Sequence, residues 1–110
     1  MDLDGTVMKH NGWEDSNEAL LPGVKEFWDS IPADDYIIIT SARALKYQDS
    51  TLKFLDSQGL RYNHYIFDLP IGERILINDI KPSGLDTAIG INVERNLGLS
   101  NITINIDPTK

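Results

Sequence analysis

Short apolar runs that each end in a polar residue recur along the chain and predict buried strands. The clearest run is residues 36–40, where three isoleucines precede Thr40, and residues 75–79 and 88–92 have the same form. Residues 64–68 are a fourth, weaker candidate. Continuous β-branched runs of this length are typical of parallel strands covered on both faces. Because open α/β sheets bind ligands beyond the carboxyl ends of their strands, the polar ends of these runs predict where a site lies.

The segments between these runs have the periodicity of helices. Residues 22–30 begin with Pro22 and repeat apolar side chains every three or four positions. Residues 44–58 place leucines on one side and are followed by Gly59, a natural helix stop. Residues 101–106 alternate polar and apolar side chains, as an edge strand does. The alternation of strands and helices predicts an α/β fold with a mainly parallel sheet and right-handed crossovers.

Composition and charge narrow the possible functions. A chain of 110 residues has room for one domain, so we expect a single domain over residues 1–110. The absence of cysteine excludes thiol catalysis, thiolate-bound zinc and disulfides. No apolar run approaches the roughly 18 residues of a membrane helix, and no signal-peptide pattern is present, so we expect a cytoplasmic protein without membrane contact. The formal net charge of −7 argues against a nucleic-acid partner, and a phosphate substrate would need a local cation.

The segment Asp-Leu-Asp-Gly-Thr-Val at residues 2–7 places two carboxylates two positions apart. It resembles the first motif of the haloacid dehalogenase superfamily of phosphohydrolases. The resemblance implies that Asp2 is the nucleophile and a metal ligand. It also implies that Asp4 gives its backbone carbonyl to the metal while its side chain protonates the leaving group. Gly5 would allow a sharp turn, and Thr6 would fix that turn through its hydroxyl. The alternative is a solvated Asp-Gly turn after a strand.

The second motif of this family is a hydroxyl residue at the end of an apolar strand. Thr40 fits that description, and its hydroxyl would donate to a phosphoryl oxygen, with the adjacent Ser41 as a further substrate-binding residue. Backbone amides that open a helix form an anion site, and Arg43 could add a bidentate contact to the substrate phosphate. Without the first motif, a Thr-Ser pair after a strand is more often a helix cap.

The resemblance also implies an acidic residue that completes the metal site and a cation that neutralises the phosphate. Asp79 fits the first role, with Asp86 as a distant substitute, and together with the two aspartates of the first motif it would form an oxygen-rich Mg²⁺ site. Lys81 lies just beyond Asp79, and we predict it as the cation. Arg74 is a poorer candidate, because five strand residues would place it about 16 Å from the metal end.

The resemblance further implies a three-layer Rossmann-like sandwich without a separate cap domain, as in small capless members of the superfamily. The chain between the first two motifs leaves room only for a flap at about residues 8–21, where His10 and Trp13 could face the leaving group. A strand of about four or five residues should precede Asp2, and only Met1 does, so we expect a truncated first strand.

These features together predict a Mg²⁺-dependent phosphatase that hydrolyses a small phosphomonoester through an aspartyl-phosphate intermediate. A sugar phosphate is one candidate substrate. A nucleotide or nucleic-acid-end phosphatase, or a phosphotransferase, would use the same Asp2 chemistry. A non-catalytic module that binds an anion or a protein on a degenerate fold is the second alternative. A flavodoxin-like receiver domain shares the acidic strand ends, but the patterns around Gly5 and Thr40 favour the phosphohydrolase.

Overall fold

Two helices and a two-stranded parallel sheet form the regular part of the structure, a computed structural model that describes residues 1–9 and 18–104. This arrangement confirms the predicted α/β class. Both predicted helices and the strand predictions at 36–40 and 64–68 are confirmed, with shorter bounds. The elements in chain order are α1 (Val24–Ser30), β1 (Ile38–Thr40), a 3-10 turn (Leu45–Tyr47), α2 (Gln48–Ser57) and β2 (His64–Ile66).

The sheet brings the first motif beside the end of β1. β1 and β2 pair in parallel, with Thr40 opposite Ile66, and α2 forms the crossover between them. On the other side of β1, Asp2 forms a single parallel bridge with Thr40. The Thr40 amide donates to the carbonyl of Met1 at 2.9 Å. Asp2 and Thr40 therefore lie side by side, at the carboxyl end of β1.

The core holds the first-motif loop in place. Leu3, Val7 and Met8 of this loop are completely buried. They belong to one cluster of buried apolar side chains to which both helices and β1 contribute. Trp28 of α1 is also buried, and its indole nitrogen donates to the carbonyl of Arg61 at 2.8 Å. The remaining members of the cluster are Val24, Ile37, Ile39, Leu55, Leu60, Phe67 and Leu99.

The chain near Leu99 crosses the start of α1 at very short range. The Leu99 amide donates to the carbonyl of Pro22 at 2.9 Å. A Cβ atom on Gly98 would collide with the backbone of Pro22, and one on Gly23 would collide with Ser100. Gly98 also has a φ of +84°, a conformation that favours glycine. The close crossing therefore requires small residues and holds the C-terminal part of the described chain against α1.

The strand predictions at 75–79 and 88–92 are wrong for this structure. Residues 67–104, all of which are described, contain neither helix nor strand. Ile75, Ile77 and Ile89 have exposed fractions of 82%, 89% and 66%. Strand formation depends on tertiary context as well as on composition, and neither run pairs with β1 or β2. A longer parallel sheet, and with it the three-layer sandwich, stays a prediction.

The flap is described only at its base. Met8 and Leu20 form an antiparallel bridge, and the Leu21 amide donates to the carbonyl of Val7 at 2.9 Å. His10 and Trp13 lie outside the described residues. The predicted edge strand at 101–106 is absent over its described residues, 101–104, and its last two residues also lie outside them. Among the described residues, none of the helices is long and apolar enough to cross a membrane.

Candidate functional site

A small polar cleft lies beside the first-motif loop. Its volume is about 180 Å³, and it is lined by Asp2, Asp4, Gly5, Thr6, Val93 and Arg95. Pockets that enclose a drug-sized ligand have volumes of roughly 300–1,000 Å³. The cleft is therefore large enough for a small polar group but does not enclose a whole organic ester.

The first-motif loop is a tight turn built around one carbonyl. The amides of Thr6, Val7 and Met8 all donate to the carbonyl of Leu3, at 3.0, 2.8 and 3.0 Å. Gly5 adopts a φ of +83°, so the predicted glycine turn is present. Because these three amides are already bonded within the turn, they do not form an anion site.

Asp2 presents an exposed carboxylate to this cleft. The Thr6 hydroxyl donates to Asp2 Oδ2 at 3.1 Å. This hydrogen bond orients the carboxylate from within the loop, which is close to the turn-fixing role predicted for Thr6. Thr40 lies beside Asp2 and is half-buried, and its hydroxyl makes no hydrogen bond to the rest of the described chain.

Asp4, in contrast, is held by a buried arginine. Arg43 Nη2 donates to Asp4 Oδ1 at 2.7 Å, and Arg43 Nε donates to Asp4 Oδ2 at 2.9 Å. This is the bidentate fork that guanidinium and carboxylate groups form most favourably. A proton-donating role for Asp4 therefore requires at least one of these hydrogen bonds to open.

Arg43 also bonds to two further side chains, so that its five N–H groups are all used. Its guanidinium donates to both carboxylate oxygens of Glu18, at 3.0 and 2.9 Å, and to the hydroxyl of Thr51 at 2.8 Å. Burial by itself would lower the pKa of Arg43, but hydrogen bonds and charges from Asp4 and Glu18 outweigh it and raise that pKa above its usual value. Arg43 stays a cation in this cluster.

The predicted phosphate contacts by Arg43 and Ser41 are corrected by this geometry. Arg43 is 4% exposed and has no N–H group left for a ligand, so it positions Asp4 instead. Ser41 is 1% exposed, and its hydroxyl accepts a hydrogen bond from the Arg43 amide at 3.0 Å. This bond to the amide two residues on is a local turn contact and not a helix cap, since the 3-10 turn has Ala44 as its N-cap residue and α2 has Tyr47.

The residues predicted to complete the metal site are not brought to the cleft. Within residues 1–9 and 18–104, no three His, Asp or Glu side chains form a group that could hold a metal ion. Asp79 does not line the cleft, and its carbonyl accepts a hydrogen bond from the Thr87 hydroxyl. The substitute Asp86 does not line the cleft either. Because residues 75–79 do not join the sheet, Asp79 at the end of this run does not lie at the carboxyl edge of the sheet.

The two cations that sequence reasoning proposed are also outside the cleft. Lys81 is exposed on a turn, where its carbonyl accepts a hydrogen bond from the Gly84 amide at 2.8 Å. The Arg74 guanidinium donates to the carbonyls of Pro70 and Gly72 in its own loop, at 3.0 and 2.9 Å. Lys81 does not line the cleft in this arrangement, and its role as the cation that faces the nucleophile stays a prediction.

Arg95 is the cleft residue that sequence reasoning missed. It lies between the predicted strands at residues 88–92 and 101–106, in a segment without periodicity that none of the family motifs includes. The nearby signal was turn chemistry, since Asn96 has a φ of +64° and Gly98 a φ of +84°. Asparagine and glycine tolerate this region best, so an Asn-x-Gly sequence could have indicated a fixed turn there.

Comparison of the chain with protein-family models, with curated proteins and with solved structures found no match.

Proposed function

We infer that this chain is a phosphohydrolase of the haloacid dehalogenase type, with Asp2 as its nucleophile. The observation that supports this most is the exposed Asp2 carboxylate, which lies in a small polar cleft with Thr6 bonded to one oxygen and Thr40 at its side. The proposal includes the finer fold, a three-layer Rossmann-like sandwich without a cap, in a single cytoplasmic domain.

The proposed reaction has two steps. An Asp2 carboxylate oxygen attacks the phosphorus of a phosphomonoester, and the bond to the leaving oxygen breaks as the aspartyl-phosphate forms. The leaving oxygen takes up a proton, and water then attacks the phosphorus to release inorganic phosphate and restore the carboxylate. Thr40 would donate its hydroxyl to a phosphoryl oxygen, where charge develops during transfer.

Asp4 is the proposed proton donor to the leaving group and acceptor from the hydrolytic water. In the present arrangement both of its oxygens accept hydrogen bonds from Arg43. We therefore propose that Arg43 holds Asp4 beside the cleft in the resting enzyme, and that one hydrogen bond opens when Asp4 carries the proton.

The proposed dependence on Mg²⁺ requires a change in the present arrangement. The described residues do not fit the ion, because no three of their His, Asp or Glu side chains form a group that could hold it and Asp79 does not line the cleft. We derive no step of the reaction through the metal. A Mg²⁺ requirement would imply that Asp79, or another acidic residue, approaches Asp2 in the active state.

The second candidate is a non-catalytic module that binds a small anion. The separation of Asp79 from Asp2 favours it, since phosphoryl transfer in this family depends on a complete acidic site. Among enzymatic alternatives, a sugar phosphate is preferred to a nucleic-acid end because of the net charge of −7. A nucleotide phosphatase or a phosphotransferase stays open.

The test is release of inorganic phosphate from an aryl phosphate, sugar phosphates and nucleotides, with Mg²⁺ and with chelator. Asp2→Asn is the decisive variant, and Asp34→Asn, at an exposed position away from the cleft, is the matched control. Turnover that Asp2→Asn abolishes and Asp34→Asn retains would support the proposal. Binding of phosphate without turnover of any substrate would favour the non-catalytic module, and alcohol acceptors would reveal a phosphotransferase.

A further inference from the structure

The first-motif cleft is short of positive charge. Asp2 contributes one exposed carboxylate. Behind it, Asp4 and Glu18 share the single cation Arg43, so that this cluster keeps one net negative charge. An anionic ligand entering the cleft would be repelled unless another cation faced it.

Arg95 is the one cation among the six residues that line the cleft. We propose that Arg95 binds the phosphoryl group of the substrate opposite Asp2, an assignment that rests on the proposed function. A guanidinium offers a planar fork of N–H donors that matches two phosphate oxygens, which a lysine ammonium cannot do. Arg95 forms no ion pair with an acidic side chain in the described part of the chain, so its donors are available.

The backbone that follows Arg95 is held by two hydrogen bonds to other parts of the chain. The Asn96 amide donates to the carbonyl of Gly5 at 2.8 Å, which ties the residue after Arg95 directly to the first-motif turn. Three residues later, the Leu99 amide bonds to the carbonyl of Pro22, and Leu99 is buried in the core. The position of Arg95 beside the cleft is therefore fixed by the fold, although its side chain is exposed.

The size of the cleft limits which part of the substrate Arg95 can contact. A volume of about 180 Å³ accommodates a phosphoryl group but leaves the rest of an ester outside. The substrates that fit are phosphomonoesters whose leaving group projects into solvent or against the flap. Arg95 should then contribute equally to binding of different esters and of inorganic phosphate.

The experiment measures the affinity for inorganic phosphate by titration calorimetry, with Mg²⁺ present throughout, in the wild-type chain and in Arg95→Ala, Arg95→Lys and Lys81→Ala. From the usual strength of hydrogen bonds to charged groups, we expect Arg95→Ala to weaken phosphate binding about 10- to 100-fold. Arg95→Lys should recover part of the affinity, and Lys81→Ala should bind as the wild type does. Tryptophan fluorescence, to which buried Trp28 contributes, verifies that each variant is folded.

The outcomes separate this proposal from the proposed function. Turnover that Asp2→Asn abolishes, with phosphate affinity unchanged in Arg95→Ala, would overturn the role of Arg95 and leave the phosphatase standing. Phosphate binding that depends on Arg95 without turnover of any ester would support the anion site and count against the phosphatase. Phosphate binding lost in Lys81→Ala, or absent from the wild type, would overturn the assignment to Arg95.

Discussion

Replacement of Arg43 by alanine is the sharpest test of how the site is built. The change removes the one guanidinium that connects Asp4, Glu18 and Thr51 through five hydrogen bonds. It leaves two neighbouring carboxylates without a counter-charge. We therefore expect Arg43→Ala to lower the free energy of unfolding and to release Asp4 from its position at the cleft.

The magnitude follows from the burial of the three charged side chains. Removing one partner of a buried ion pair costs about 3–5 kcal/mol, whereas an exposed pair contributes roughly 0–1 kcal/mol. The Arg43 side chain is 2% exposed, but those of Asp4 and Glu18 keep 18% and 23% of their surface, so water relieves part of their repulsion. We expect a loss of about 3 kcal/mol, near the lower bound of the buried range.

The assay is equilibrium unfolding in urea followed by tryptophan fluorescence, because Trp28 is 4% exposed and reports on the core. Arg43→Lys keeps the positive charge but cannot form the bidentate contact with Asp4, and should lower the free energy of unfolding by about 1–2 kcal/mol. Arg61→Ala is the matched control, since the exposed Arg61 guanidinium donates to backbone carbonyls and not to a carboxylate. A loss in Arg43→Ala below about 1 kcal/mol, the value of an exposed pair, would refute the reasoning.

Two further predictions concern the scaffold. In the same urea assay, Gly98→Ala should lower the free energy of unfolding by about 1 kcal/mol or more beyond the loss in Gly59→Ala. Both glycines have left-handed φ values, but only Gly98 lies against the Pro22 backbone. Equal losses in the two variants would contradict the close crossing. Burial, followed by the hydrogen bond to Asp56 and its charge, raises the pKa of Tyr62. Its contribution to stability is therefore present below about pH 10 and lost as the pH rises through the raised pKa. An absorbance titration of tyrosinate should show that Tyr62→Phe removes a late-ionising phenol, and an unchanged late phase would count against this.

The elements that the sequence predicts well are those whose signals are local. The helical period of residues 22–30 and 44–58 places α1 and α2 within a few residues of their bounds. The apolar run before Thr40 becomes β1 because the crossover through α2 brings β2 beside it. The turn at Gly5 follows equally from local chemistry, since only glycine readily takes its left-handed conformation.

The predictions that fail depend on partners distant in the chain. Residues 75–79 have the composition of a strand, but pairing is decided by an available edge, which composition does not encode. The roles of Asp79 and Lys81 were assigned through that strand, and without it neither residue lines the cleft, so those roles stay predictions. Arg95 reaches the cleft through hydrogen bonds of its neighbours to Gly5 and Pro22, and no periodic pattern in the sequence indicates such contacts.

Arg43 illustrates why a correct location can still give a wrong role. Its position after Thr40 places it near the first motif, as expected for a phosphate ligand. A buried guanidinium, however, must satisfy its charge and its N–H groups within the protein, because leaving them unpaired is costly. Asp4 and Glu18 lie within reach and are part of the fold, whereas a substrate is bound only transiently. The permanent partners therefore hold Arg43, and the anion site is left to an exposed residue such as Arg95.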